Sequence, residues 1–161
     1  MSWIRKSTHL FKLLIFGFLL CTSYAIGQAR AADKDSAFTH NWKEMLRHES
    51  FKVTKRKNTI PFNVLQLAGV DSFKDIADPN EKWNSTCISA ENLPGTRLNW
   101  AARTLDSSAW VVCVVSGGYY LSTNYYLITA DRVELIRNRG ESAISFEKFK
   151  SQYISGTLRK K

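Results

Sequence analysis

Three sets of side chains in this sequence are of types that could do chemistry: two cysteines, a His–Glu–His stripe and four tyrosines. Cys87 and Cys113 are the only cysteines after residue 31. An even pair in an exported chain points to a disulfide. Joined, they would close a loop of about 25 residues, worth roughly 3 kcal/mol if unstrained. Catalysis by Cys113 is a poorer reading. Val112 and Val114 flank it and no histidine follows it in the chain. An apolar setting raises a thiol's pKa and keeps it inert.

His40, Glu44 and His48 recur every four residues, a spacing that could set imidazoles and a carboxylate around a metal. Phe38, Trp42, Met45 and Leu46 define the apolar face of the same helix. The His–Glu–His stripe points away from that face, without partners to orient the rings. It reads as a solvated surface, so no metal and no cofactor are expected. Tyr119, Tyr120, Tyr125 and Tyr126 follow a Gly117–Gly118 pair. Neighbours on a strand face opposite ways, so at most half of these tyrosines can enter one core. The remainder, beside Ser, Thr and Asn, have the composition of a binding surface.

The elements that position these groups follow from the pattern of apolar residues. Arg97–Asn138 holds three segments rich in Val, Ile, Tyr, Trp and Thr, which suit a pleated surface. Breaks at Asp106–Ser108, Gly117–Gly118 and Ala130–Asp131 make it an antiparallel meander. In its first strand Leu98, Trp100 and Ala102 alternate with Arg97, Asn99, Ala101 and Arg103, predicting one buried and one partly wet face. Trp110–Val115 is apolar at every position, which predicts a central strand covered on both sides. The turn after it is either a tight Gly117–Gly118 hairpin or a longer loop over Ser116–Thr123; pattern alone does not separate them.

Helices are expected at Asp35–Glu49 and Ser145–Ile154, with Ser145 as an N-cap. Phe51–Lys55 alternates as a short strand. Lys52, Lys55, Arg56 and Lys57 make it a charged edge or, less simply, a contact for an anionic partner. Val64–Ala68 predicts a helical turn ending at Gly69, and Ser72–Ala77 a second one stopped by Pro79. The fold class is therefore α+β: an antiparallel sheet of four or five strands packed by an N-terminal and a C-terminal helix.

The first 31 residues read as an address rather than as structure. Arg5, Lys6 and Lys12 precede a nine-residue apolar run, Leu13–Cys21. That is too short for a span, which needs about 20 residues, and fits a secretory leader. Cleavage is expected between residues 25 and 31, with Ala29–Arg30–Ala31 the cleanest site. Residues 32–161 then form one compact domain. The formal charge is +9, but residues 1–31 hold four cations and no acids. Without them, 19 basic residues face 14 acidic ones, a mild excess that does not demand nucleic acid. Asn84-Ser85-Thr86 matches a glycosylation acceptor in a host that modifies exports.

No G-x-S-x-G, H-E-x-x-H or P-loop is present. The expected function is therefore that of a small periplasmic or secreted binding protein: an inhibitor, immunity-type or accessory protein with another protein as partner. A carrier of a small apolar ligand ranks second. A hydrolase with a carboxylate pair brought together by folding ranks third.

Overall fold

The computed structural model describes residues 41–86 and 92–158. The leader, its cleavage site, the start of the first helix with His40, residue Cys87 and the last three residues lie outside the described residues. The chain divides into two units, Met1–Met45 and Leu46–Lys161. Among its described residues the second carries a six-stranded sheet and two further α-helices. In α1 (residues 41–48) Trp42 and Leu46, one turn apart, are buried.

The strands are β1 (Phe51–Thr54), β2 (Ile76–Ala77), β3 (Thr96–Thr104), β4 (Ala109–Ser116), β5 (Ser122–Thr129) and β6 (Val133–Arg139). Their order is β1-β3-β4-β5-β6, antiparallel throughout, and β2 joins β3 as a short parallel pair. The meander is thus present, and the sheet exceeds the expected count because of the two-residue β2. A helix was expected at Ser72–Ala77. Instead, Ile76 and Ala77 pair with Thr96 and Arg97, and tertiary pairing overrides a weak local preference.

β4 is central and buried along all but its last residue. Its two faces have different covers. On one, α2 (Phe62–Leu67) and the segment around it bring Ile60, Val64, Leu65, Ala68 and Val70 against Leu98, Ala101, Val112 and Val114. Gly69, at φ +76°, ends that helix in the left-handed region. On the other, α3 (Phe146–Ser155) lays Phe149 on Tyr125 at 4.8 Å and Phe146 edge-on to Trp100 at 5.4 Å. Ser145 caps α3 by accepting from Lys148 N.

One expectation for β3 is corrected here. Leu98 and Trp100 do not share a face. The pairing with β4 jumps from Leu98–Val114 to Trp100–Cys113, leaving Asn99 as a bulged extra residue. A bulge inserts one unpaired position and inverts the alternation beyond it. Leu98 therefore packs under α2 with Ala101, and Trp100 packs under α3.

The basic cluster also separates. Lys57 is a structural residue: Nζ donates to the Ile76 carbonyl at 2.8 Å and pairs with Glu81 at 2.9 Å. Its backbone N–H donates to the Asp78 carboxylate. Hydrogen bonds from Asp78 N and then from Lys57 hold the Glu81 carboxyl below its usual range. This clamp ties the turn after β1 to the end of β2, so Lys57 belongs to the scaffold and not to an open basic patch.

Candidate functional site

The four tyrosines part company in the structure. Tyr125 is 1% exposed and stacks on Phe149. Burial pushes its phenol up to about 12, and its oxygen accepts from Ile144 N at 3.4 Å. Tyr126 faces the α2 side, half buried, with its phenol likewise raised by burial. Tyr119 and Tyr120 stand on the β4–β5 loop at 90% and 76% exposure. The register of Ser116 opposite Ser122 makes that loop five residues long, 117–121. The tight two-residue hairpin at Gly117–Gly118 is not formed.

The reason lies outside the hairpin. Gly117 N donates to the Gly95 carbonyl at 3.0 Å. A Cβ at Gly117 would stand 2.5 Å from the Asn84 carbonyl oxygen and 2.9 Å from the Ser85 carbonyl carbon. The first glycine is thus used for close approach of a second backbone, and the turn is made further on. At the other end Gly140 N donates to the Leu121 carbonyl at 2.9 Å. Both ends of the loop are fastened, and Tyr119, Tyr120 and the half-exposed Leu121 project from it.

Polar and aromatic groups stand behind the tip. The Arg97 guanidinium lies over the Trp83 ring at 4.8 Å, a cation–π arrangement. Arg139 pairs in register with Ser122 at the tip's base. Asn84 accepts from Thr86 N and Thr86 Oγ1, folding the glycosylation motif into an Asx turn. Sequence reasoning missed Leu121 and the Arg97–Trp83 stack. The first ends an apolar triplet visible in the chain. The second joins residues 14 positions apart and leaves no local signal.

Cys113 sits in β4 between Trp100 of β3 and Tyr125 of β5. Among the described residues it has no disulfide partner; it is buried, and burial raises its pKa strongly. Its partner in the expected bridge, Cys87, lies outside the described residues, as does His40 of the His–Glu–His stripe. Glu44 and His48 lie on α1. Among the described residues no group of three or more His, Cys, Asp or Glu is placed to hold a metal ion. Among them, too, no helix is long and apolar enough to cross a membrane.

Comparison with protein-family models, with curated proteins and with solved structures finds no match to the chain.

Proposed function

We propose that the protein is a small exported binding protein, an inhibitor, immunity-type or accessory protein that engages another protein through the β4–β5 tip. The observation that carries this reading is the exposure of Tyr119 and Tyr120 on a loop fastened at both ends. Tyrosine offers large contact area at low entropic cost and is enriched among interface hot spots. A fastened loop has little freedom left to lose on binding. The Arg97–Trp83 stack adds two more residue types favoured at such centres.

The test is a pull-down from the native compartment followed by affinity measurements on single variants. Tyr119→Ala or Tyr120→Ala should cost about 2 kcal/mol of affinity at an unchanged melting temperature. Tyr125→Ala should instead lower the melting temperature, because it empties the space under Phe149. If both tip variants bind the partner like wild type, the tip reading fails. A small molecule that co-purifies in stoichiometric amount, without a protein, would replace it with the carrier reading.

A further inference from the structure

We propose that Arg97, held against Trp83, takes a carboxylate from an acidic segment of the partner protein, a site that rests on the tip reading and gives that partner its chemistry. Arg97 pairs with Val115 of β4, two residues before Gly117, and Trp83 directly precedes the Asn84–Ser85 backbone that lies against Gly117. Both therefore stand at the tip's base. The guanidinium carbon is 4.8 Å from the centre of the indole ring. Its Nε is buried without a hydrogen-bond partner, while the side chain as a whole is only partly buried. Among the described residues neither Nη group has a partner, and neither is buried. A guanidinium desolvated at Nε and unpaired at both Nη groups has given up water without gaining an anion. The Trp83 face offsets part of that cost and holds the Nη fork that a carboxylate accepts in a bidentate pair.

The acids nearest in the fold are already committed. Asp78, next to the Ala77 that pairs with Arg97, accepts from Lys57 N, and Glu81 pairs with Lys57 Nζ. Glu141 is tied through its carbonyl to Thr123 Oγ1 of β5, two strands from Arg97 and so about 10 Å away. Cations stand at the same end of the sheet: Lys82 precedes Trp83, Arg139 lies opposite Ser122, and both are exposed. The anion must then come from outside. In a protein partner that anion is a carboxylate, whose two coplanar oxygens match the planar fork.

The test follows the Arg97 Nε–Hε resonance of the nitrogen-15-labelled protein, assigned by its loss in Arg97→Lys. The probes are hexaglutamate, hexaglutamine at matched ionic strength, and inorganic phosphate. Hexaglutamate should shift the resonance saturably, and hexaglutamine should leave it in place. Arg97→Gln should bind hexaglutamate about tenfold or more weakly, and Lys82→Gln and Arg139→Gln should lose far less. Arg97→Lys keeps the charge without the fork and should recover only part of the affinity. The wild-type titration decides even where a melting curve shows Arg97→Gln destabilised. No saturable shift, an equal shift with hexaglutamine, or undiminished binding in Arg97→Gln overturns the site. Phosphate acting at a lower concentration than hexaglutamate overturns the carboxylate as its ligand. The tip reading is judged apart from this, by Tyr119→Ala and Tyr120→Ala against the captured partner, and stands or falls whatever Arg97 does.

Discussion

Trp100 Nε1 donates to the Ile144 carbonyl at 2.7 Å across 44 residues of chain. Tyr125, packed 6.0 Å from Trp100, accepts from the N–H of the same residue. The loop leading into α3 is thereby fastened from the sheet, and Phe146 and Phe149 follow directly onto the Trp100 ring. Trp100→Phe keeps an aromatic ring in this cluster and removes the donor. Leaving the Ile144 carbonyl without its partner should cost roughly 1–3 kcal/mol. Urea denaturation should show a lower midpoint at an unchanged slope. An unchanged midpoint would show that the bond contributes nothing net.

Much of this arrangement could be read from residue types, and the limits of that reading have physical causes. Apolar residues at every position of Trp110–Val115 required a central, doubly covered strand, and β4 is one. Ser145 marked the start of α3 because a hydroxyl there can accept a backbone N–H. The bulge at Asn99 could not be read, since alternation assumes an uninterrupted ladder and the extra residue exists only relative to β4. The length of the β4–β5 loop depends on the Asn84–Ser85 backbone lying against Gly117, a contact with no trace in the hairpin's own sequence. For the candidate site the same holds. The tyrosine cluster stood out, but which members project was fixed by register: Tyr125 faces α3 and Tyr119 faces solvent.

The β3–β4 turn carries a pH-dependent contribution. Asp106 accepts from Thr104 Oγ1 at 2.6 Å and from Ser108 N and Oγ, and these bonds hold its carboxyl down to about 2. A carboxylate whose folded pKa lies below its ordinary value stabilises the fold at pH values above that ordinary value. The contribution is lost as pH falls toward about 2. An NMR titration of the Asp106 carboxyl should give a midpoint near that value. Thr104→Val, which removes the first donor, should move the midpoint upward. A wild-type midpoint in the ordinary carboxylate range would contradict the hydrogen-bonded turn.

Cys113 supplies a redox prediction. The proposed exported form carries a Cys87–Cys113 bridge, since two cysteines in an oxidising compartment tend to pair. Labelling in denaturant without reductant should then find neither thiol reactive, and labelling after reduction should find both. Quantitative reaction of both without reductant would end the pairing. Cys113 would then be the inert core thiol that its burial makes it.

Gly117 offers the sharpest test of how the tip is held. Gly117→Ala places a methyl group 2.5 Å from the Asn84 carbonyl oxygen and within 3.0 Å of two Ser85 backbone atoms. Backbone cannot rotate aside as a long side chain can, so residues 84–85 must be displaced or the hairpin must shift. Overpacking of this kind costs roughly 1–3 kcal/mol. Gly95, which lends its carbonyl to the Gly117 N–H, has nothing within 4 Å of an added Cβ. Gly95→Ala should therefore be close to neutral and serves as the control. Hydrogen exchange gives the local readout. The Asn84 N–H, bonded to the Pro94 carbonyl at 2.8 Å, should lose protection in Gly117→Ala and keep it in Gly95→Ala. If instead the two variants melt alike and protect Asn84 alike, the 84–85 segment does not seat on Gly117. The fastened tip, and the low entropic cost argued for its binding, would fail with it.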